Sequence, residues 1–242
     1  MSVKDKIALV TGGSGGIGSV IAKALAKEGA KVILFGGNNL EKLDKTAKEI
    51  CAIGGFCAVE SGDLTLDSVL DSAFNNVIEK FGGVDIIINS AGLAHNTLVE
   101  QTPIELYDKI MKINVRTPYL LIQKALPYLK KSNYATIVNI ASVVAHQGYP
   151  LQSAYSASKH ALLGFTKSLA QEVYNDGIRV HAVSPGGVYT DMIKVSRPDL
   201  TGEGMIMPED VADAVMFLIN NRTNAVIDEI IMHRVNKTPF LA

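Results

Sequence analysis

The sequence lacks the features that mark several large classes of protein. Only 19% of its 242 residues are charged and its formal net charge is −1, which gives it no electrostatic reason to bind nucleic acid or an anionic membrane. No apolar run approaches the roughly 18 residues of a transmembrane helix. The first apolar run begins about six residues into the chain, which leaves no room for a signal peptide, so we expect a cytoplasmic protein.

Cysteine and linker sequence are also scarce. Cys51 and Cys57 are the only cysteines and have no histidine-rich surroundings, so we expect two small buried side chains rather than a disulfide framework or a metal site. No stretch rich in proline, glycine, serine or like charges divides the chain. With 48% apolar residues it can fill a large core, and we predict a single domain over residues 1–242.

Two hydrophobic periodicities alternate along the chain. Strands are predicted near residues 6–11, 31–36, 56–61, 84–89, 135–141, 178–184 and 226–233. Helices are predicted near residues 16–29, 39–53, 66–80, 103–131, 153–175 and 208–219. Strands such as 84–89 are almost continuously apolar, as a strand covered on both faces requires. This predicts an α/β fold with a doubly wound, mostly parallel seven-stranded sheet and helices on both faces.

A glycine-rich loop joins the first strand to the first helix. Glycines let backbone N–H groups approach a pyrophosphate closely, and the following helix N-terminus attracts the same anion. The loop therefore predicts a dinucleotide site, with a tight turn that binds nothing as the alternative. Two registers fit: G-x-G-x-x-G through Gly13, Gly15 and Gly18, or T-G-x-x-x-G-x-G through Gly12, Gly16 and Gly18.

Tyr155 and Lys159 are four residues apart on a predicted helix, which places them on one face. There the lysine charge is expected to lower the tyrosine pKa from about 10 toward neutrality and make it a usable proton donor. A solvated helix face produces the same spacing, so the pair alone decides nothing. Polar or glycine residues also follow other strands, where ligands bind in parallel sheets. They are Asp63, Asn89 to Gly92, Ser142, and Pro185 to Thr190.

Together these motifs resemble the short-chain dehydrogenase/reductase family from about Lys6 to Leu218. The resemblance rests on Thr11-Gly-Gly-Ser-Gly-Gly-Ile-Gly18, Asn89-Ser-Ala-Gly92, Asn114, Ser142, Tyr155, Lys159, Pro185, Gly186 and Thr190. It implies a Rossmann fold with a cofactor half near residues 1–130, a catalytic half near 131–242 and a substrate lid near 188–207. It also implies hydride transfer between NAD(P) and a ketone, aldehyde or secondary alcohol.

Catalytic roles follow from the same resemblance. Tyr155 would supply the proton, and Lys159 would stabilise the tyrosinate and bind the nicotinamide ribose. Ser142 would orient the substrate carbonyl through its hydroxyl. Asn114 would complete a water-linked proton relay to Lys159, with an ordinary exposed helix asparagine as the alternative.

Cofactor contacts are implied at most strand ends, at Gly12, Ser14, Gly16, Ile17, Gly18, Gly37, Asn38, Asp63, Leu64, Asn89, Ala91, Gly92, Tyr155, Lys159, Pro185, Gly186, Val188 and Thr190. Members that use NAD commonly have Asp near Gly36. Members that use NADP often have Arg at Gly37 or a basic residue at Gly15. This chain has neither, and because Asn38 can donate to a phosphate we slightly favour NADP over NAD.

Substrate identity is less accessible. Met192, Ile193, Met205 and Ile206 give the lid an apolar character that favours moderately apolar substrates. His146, in the loop after Ser142, is either a substrate contact or a surface histidine without a role.

The end of the chain bears on substrate class. The segment from Ala225 to Arg234 departs from the common Asp-Gly-Gly ending and resembles broad-range ketone, hydroxy-acid and polyol oxidoreductases. Asn133 and Asp176 stand where enzymes that read a carrier protein tend to have Arg. We therefore predict a general carbonyl reductase or alcohol dehydrogenase that acts on a small molecule.

The same residues leave several alternative functions open and predict a homo-oligomer. The first alternative is a 3-oxoacyl-thioester (acyl-carrier-protein) reductase. Alternatives of other classes are a non-catalytic dinucleotide-binding sensor and a methyltransferase, neither of which needs the catalytic set. Helices 103–131 and 153–175 pair across a two-fold axis in this family, so a homodimer or homotetramer is expected.

Overall fold

A seven-stranded sheet organises the chain. The computed structural model describes residues 2–37, 39–191, 193 and 201–238. The strands are β1 (Ile7–Thr11), β2 (Lys31–Gly36), β3 (Phe56–Ser61), β4 (Ile86–Asn89), β5 (Thr136–Ile140), β6 (Arg179–Pro185) and β7 (Glu229–Met232). Every neighbouring pair is parallel and the order is β3-β2-β1-β4-β5-β6-β7, which confirms the predicted fold class.

Helices cover both faces of this sheet. The α-helices in the described residues are α1 (Gly16–Lys27), α2 (Leu40–Ala52), α3 (Asp67–Phe81), α4 (Ile104–Met111), α5 (Thr117–Leu129), α6 (Ser153–Glu172) and α7 (Pro208–Asn220). Successive side chains of β1 point to opposite faces, so Val10 packs in the core under α1 and α7, whereas Leu9 packs in the core under α3, α5 and α6. The sheet is therefore buried on both sides, as its apolar strands require.

The carboxyl ends of the central strands lie level with one another. Thr11 at the end of β1 is in register with Asn89 on β4, and Asn89 is in register with Asn139 on β5. The chain runs from β1 outward to β2 and β3 and then returns to β4 on the other side of β1. This reversal makes the crevice above β1 and β4 the place where a doubly wound sheet binds its ligands.

The predicted helix 103–131 is interrupted in the structure. Between α4 and α5 lies a π-helical segment, Lys112–Arg116, after which the Thr117 N–H donates to the Lys112 carbonyl. A π-helical hydrogen bond spans one more residue than an α-helical one, and such turns are frequent at functional sites. Asn114 lies at the centre of this segment and is completely buried, so it is not an exposed helix asparagine.

Both cysteines are free thiols, and the expectation that both are buried was wrong for Cys51, which is exposed. Helix α2 buries Leu43, Thr46 and Ile50, and the next residue after Ile50 points about 100° away from that face. Cys57 is half-buried, and burial raises its pKa to about 12. The described helices include none long and apolar enough to cross a membrane, and the described side chains include no cluster suited to a metal ion.

Candidate active site

The glycine-rich loop is held in place by close backbone contacts. Gly12 has a φ of 70°, and a Cβ atom there would lie 2.8 Å from the Ala91 nitrogen. A Cβ atom on Gly18 would lie 2.3 Å from the Gly12 carbonyl oxygen. A Cβ atom on Gly16 would lie 2.7 Å from the Thr190 side chain. These positions therefore need glycine so that the loop, the start of α1 and the segment after β6 can meet.

The same contacts distinguish the two possible glycine registers. A Cβ atom on Gly13 would lie 2.8 Å from the Leu34 side chain, and one on Gly15 would lie 3.2 Å from the Gly12 carbonyl oxygen. Gly12 combines a positive φ with a contact to backbone atoms, and Gly16 is more tightly enclosed than Gly15, so the geometry favours the T-G-x-x-x-G-x-G register. No side chain caps the N-terminus of α1, which leaves its first N–H groups to an anion or to water.

A chain of buried polar side chains crosses the sheet beside this loop. The Asn89 amide donates to Asn139 Oδ1 (2.8 Å), and the Asn139 amide donates to the Thr166 hydroxyl (2.8 Å) on α6. Thr11 Oγ1 accepts from the N–H groups of Ser90 (3.2 Å) and Ala91 (3.1 Å). Asn89 Oδ1 is buried and has no hydrogen-bond partner among the described residues. A buried acceptor left unpaired is costly, so this oxygen is a site for a ligand donor.

Tyr155 and Lys159 lie together in the first turns of α6, as their spacing predicted. Lys159 Nζ lies 5.8 Å from the centre of the Tyr155 ring. The Lys159 side chain is only 4% exposed, and its ammonium donates to the Ile140 carbonyl (2.7 Å) at the end of β5. A buried cation held at the carboxyl edge of the sheet can act on a neighbouring phenol and on a bound ribose.

Burial changes the acidity of both groups. It raises the pKa of Tyr155 to about 12, although the Ser142 hydroxyl opposes this through a hydrogen bond. Burial also lowers the pKa of Lys159 to about 8. Burial favours the neutral form of the phenol, so the predicted lowering of the tyrosine pKa by Lys159 has to act against this loss of hydration.

Ser142 lies next to this pair at the end of β5. Its hydroxyl donates to the Pro185 carbonyl (3.2 Å) and accepts from the Val144 N–H (3.3 Å), which makes it the cap of the short 3₁₀ turn Val143–Ala145. Ser142 is 8% exposed. The structure thus brings Ser142, Tyr155 and Lys159 together at one edge of the sheet, where two hydroxyls can hold one carbonyl oxygen.

The side chain of Asn114 is held by three hydrogen bonds to protein groups. Its oxygen accepts from the Leu93 N–H (2.8 Å), and its amide donates to the Leu93 carbonyl (2.9 Å) and to the Ser158 hydroxyl (2.9 Å). Ser158 in turn donates to the Tyr155 carbonyl (2.7 Å). Asn114 therefore ties the loop after β4 to the turn of α6 that carries Tyr155.

The sequence matches the family model for short chain dehydrogenases over residues 6–201. The chain belongs to this family. Among similar short-chain dehydrogenases and reductases, a D-β-hydroxybutyrate dehydrogenase of Rhizobium meliloti is 34% identical, over 87% of this chain and 82% of the relative. A 3-oxoacyl-[acyl-carrier-protein] reductase of Rickettsia typhi is 36% identical, over 91% of this chain and 92% of the relative. A metagenomic short-chain oxidoreductase crystallised with NADP superposes with a TM-score of 0.85 at 29% identity, covering 98% and 100% of the two chains.

Other residues that the sequence predicts as cofactor contacts follow β3 and β4. Asp63 accepts from the N–H (3.0 Å) and hydroxyl (2.7 Å) of Thr65, and these hydrogen bonds lower its pKa. Leu64 is buried beside it. A Cβ atom at Gly92 would lie 3.8 Å from Lys159 Nζ, so the glycine keeps space open above the lysine. The uncapped helix, the unpaired Asn89 oxygen and this open space all fit a dinucleotide.

The segment after β6 contains the last group of predicted cofactor contacts. Val188 is buried, pairs with Ile206 in a parallel bridge, and accepts from the Thr190 hydroxyl (3.4 Å). Pro185 is buried, and Gly186, Ile17 and Ser14 are partly accessible. Gly37 is exposed with open space around it, whereas Asn38 lies outside the described residues. Of the predicted lid, residues 192 and 194–200 also lie outside them.

A cavity of about 220 Å³ adjoins the glycine-rich loop on the side of α2. Ser14 and Gly16 form part of its wall, and lysines from α1 and α2 form another part: Lys23, Lys42 and Lys45. Lys23 pairs with Glu49 (2.9 Å) and Lys42 pairs with Asp191 (2.8 Å). Glu49 and Asp191 line the same cavity, so its three lysines exceed its two carboxylates by one charge, next to the place where the predicted adenosine phosphate would lie.

His146 has a partner that neither sequence interpretation included. Its Nε2 lies 2.7 Å from Glu229 Oε1 on β7, and the Ser184 hydroxyl on β6 donates to the same carboxylate oxygen. This network joins the loop after Ser142 to the last two strands of the sheet. His146 is therefore neither a free surface histidine nor shown as a substrate contact.

Sequence reasoning missed several residues that shape the site. Asn139, Thr166 and Ser158 are polar residues at buried positions, and that pattern was the one available signal for them. Asn139 bonds to Asn89 and Ser158 to Asn114, two residues that the motifs had singled out, and Thr166 bonds to Asn139. These three hydrogen bonds span 27 to 50 residues, so only the fold reveals them.

Proposed function

We propose that this NAD(P)-dependent short-chain dehydrogenase uses Tyr155 as the general acid and base in hydride transfer between nicotinamide and a carbonyl or secondary alcohol carbon. The observation that carries this proposal is the meeting of Tyr155, Ser142 and Lys159 at the carboxyl edge of the sheet, beside the glycine-rich loop. The predicted division into a cofactor half near 1–130 and a catalytic half near 131–242 is part of the same proposal.

Protonation states support a reaction in the direction of reduction. A bound reduced nicotinamide supplies the hydride. Tyr155 is fully protonated at neutral pH because burial raises its pKa to about 12, so it can donate a proton to the developing alkoxide. Ser142 can turn its hydroxyl from the Pro185 carbonyl toward the substrate oxygen. In the reverse direction the tyrosinate takes the proton back from the alcohol.

Lys159 stabilises the tyrosinate that this step creates. Its pKa of about 8 leaves it mostly charged at neutral pH, and its ammonium lies close to the Tyr155 ring. In this proposal Asn114 is a positioning residue. Its amide group holds Leu93 and Ser158 in place, and Ser158 in turn holds the turn that contains Tyr155. The water-linked proton relay from Asn114 to Lys159 stays a prediction beside this positioning role.

We favour NADP over NAD as the preferred cofactor. No carboxylate stands at the end of β2, where it would repel a 2′-phosphate. Lys42 and Lys45 line the cavity beside the glycine-rich loop. A phosphate there can pair with Lys45, or with Lys42 in place of its present partner Asp191 (2.8 Å). That a structural neighbour was crystallised with NADP supports the same preference.

A substrate panel tests this function directly. Purified protein is given NADPH or NADH with simple ketones, aldehydes and 3-oxo esters, and loss of the reduced-nicotinamide absorbance is followed. We expect turnover of at least one carbonyl class and a higher kcat/KM for NADPH than for NADH. Cofactor binding without turnover of any compound would favour the sensor instead. A strong NADH preference would refute the cofactor assignment alone.

A 3-oxoacyl-thioester reductase is the alternative that a 36%-identical relative favours. An acidic carrier protein needs basic residues around the active-site entrance. Here Asp176 pairs with Lys130 (2.9 Å) and Asn133 accepts from Lys6 (2.6 Å), so two surface lysines are already engaged. A kcat/KM that rises at least about tenfold when the same 3-oxoacyl group is moved from a pantetheine thioester to a carrier protein would establish this alternative.

We also propose that the protein is a cytoplasmic homo-oligomer. Its two cysteines are free thiols, which fits a reducing compartment. On α5, Tyr119 is 48% exposed and packs on Phe165 of α6, with ring centres 4.9 Å apart. An exposed aromatic pair on these helices favours pairing of the two helices with a second copy. A monomer in light scattering would refute the oligomer. Cell fractionation that finds the protein outside the cytoplasm would refute the location.

A further inference from the structure

Arg234 lies against the turn that follows β6, and the mechanism proposed above gives it no role. A Cβ atom on Gly187 would lie 3.7 Å from Arg234 Cδ and 3.9 Å from Arg234 Nε. The same atom would lie 3.2 Å from the terminal methyl of Met205. Because Gly187 has no side chain, the arginine stem runs along the backbone of the Pro-Gly-Gly turn, in space that a larger residue would fill.

This turn is the one that holds Ser142. The Pro185 carbonyl accepts from the Ser142 hydroxyl (3.2 Å), and the Gly186 N–H donates to the Met232 carbonyl (2.8 Å) at the end of β7. Successive Cα atoms are about 3.8 Å apart, so the Cα atom of Gly187 lies within about 8 Å of that of Pro185. Arg234 is thus anchored within the length of a small molecule from the proposed carbonyl site.

The guanidinium of Arg234 has no carboxylate to neutralise it within the described part of the chain. Ion pairs between described residues involve other cations, and Glu229, the acid nearest in sequence, is bound to His146 and Ser184. Arg234 is only half accessible to solvent. A partly buried guanidinium offers two parallel N–H donors whose geometry matches a carboxylate.

Apolar side chains stand next to this cation. Met205 and Ile206 are both buried and pack near Gly187 and Gly186. A molecule with a carbonyl at one end, a short alkyl segment and an anionic group at the other end would match Tyr155, this apolar wall and Arg234 in turn. A wholly apolar substrate would leave the arginine unpaired beside it.

We propose that Arg234 binds the carboxylate of the substrate, so that the natural substrates are short oxo acids and the corresponding hydroxy acids. This assignment rests on the proposed function, because it takes reduction at Tyr155 as given. It narrows the substrate class from ketones in general to anionic ones. The carboxylate would take the two N–H donors of the arginine while the ketone oxygen lies at Ser142 and Tyr155.

The test compares each acid with its neutral ester. The substrates are 3-oxobutanoate, 4-oxopentanoate and 5-oxohexanoate, each paired with its methyl ester, because the distance from Tyr155 to Arg234 selects among chain lengths. For the wild type we expect kcat/KM for at least one acid to exceed that of its ester by about tenfold or more. This range corresponds to one charge-assisted hydrogen bond.

Variants then assign the preference to Arg234. Arg234→Met should lower kcat/KM for the preferred acid by about tenfold to a hundredfold, mainly through KM, and leave that of the ester within about threefold. Arg234→Lys should retain part of the preference. Lys237→Met removes an exposed cation from the same tail and should leave the ratio unchanged, which controls for general electrostatic attraction.

Each contrary outcome has a distinct meaning. If the wild type reduces esters but prefers none of the acids, the Arg234 assignment is refuted while the proposed function stands, and this result needs no variant to fold. The assignment is also refuted if Arg234→Met keeps the wild-type ratio of acid to ester. If no ester, acid or neutral ketone is reduced, the proposed function itself fails.

Discussion

The two sides of the sheet's carboxyl edge are built in different ways. On the cofactor side the glycine-rich loop is fixed by backbone atoms, and a Cβ atom at Gly18 would lie 2.3 Å from the Gly12 carbonyl oxygen. On the substrate side, long side chains such as His146 and Glu229 meet across 83 residues of sequence. The cofactor side is therefore a property of local chain geometry, whereas the substrate side depends on which side chains the fold brings together.

This difference explains why the reaction class is easier to identify than the substrate. A backbone cradle requires glycine at fixed spacings, and a spacing is visible in the sequence. Side-chain pairs tolerate other residues at the same places, provided that volume and charge are matched. Arg234 illustrates this, because nothing around it in the sequence indicates that it lies against Gly187.

The largest effect is expected at Tyr155, where the cofactor side and the substrate side meet. Tyr155→Phe removes the proton donor and keeps the ring, so kcat should fall at least about a hundredfold, the lower range for general acid catalysis. Cofactor affinity, measured by fluorescence titration, should change little. Full activity in this variant would remove the proposed mechanism, and an equal loss of cofactor affinity would show that the tyrosine hydroxyl belongs mainly to the cofactor side.

The next effect tests whether the cofactor side is as rigid as its contacts indicate. Gly18→Ala places a Cβ atom against a backbone oxygen that cannot move aside, so we expect a loss of about 2–3 kcal/mol in the free energy of unfolding. Cofactor affinity should fall at least about tenfold, because the loop must shift. Urea unfolding and cofactor titration measure the two effects separately.

Gly83→Ala is the matched control for that variant. Gly83 lies between α3 and β4, and a Cβ atom there meets nothing within 4 Å. The same substitution should therefore stabilise the protein by about 0.4–1 kcal/mol, since alanine restricts the unfolded chain more than glycine does. If both variants behave alike, steric contact does not account for the glycine at position 18.

The sequence predicted the sheet and most of the site because both depend on short-range signals. Apolar runs located the strands, and the Tyr155 to Lys159 spacing located the catalytic turn. The π-helical segment was not predicted, because Asn114 is held there by Leu93, 21 residues earlier in the chain. Spacing likewise reveals a nearby charge but not the burial that raises the pKa of Tyr155.

A smaller effect is expected from the lysines beside the glycine-rich loop. Lys42→Gln and Lys45→Gln should each lower the ratio of kcat/KM for NADPH to that for NADH by about tenfold, if each lysine pairs with the 2′-phosphate. Lys48→Gln, on the same helix but outside the cavity, should leave the ratio unchanged. A ratio that stays constant in all three variants would mean that the cofactor side chooses its nucleotide by backbone contacts alone.

The smallest effect should come from the substrate side. His146→Ala breaks a contact between partly exposed side chains, so we expect it to lower the free energy of unfolding by no more than about 1 kcal/mol. For a chain of this size that corresponds to a shift in Tm of about 2–4 °C. His95→Ala, at an exposed histidine in another loop, should shift Tm less. If His146→Ala costs as much as Gly18→Ala, the network with Glu229 and Ser184 is as essential to the fold as the glycine-rich loop. The substrate side would then be fixed by its side chains as firmly as the cofactor side is by its backbone.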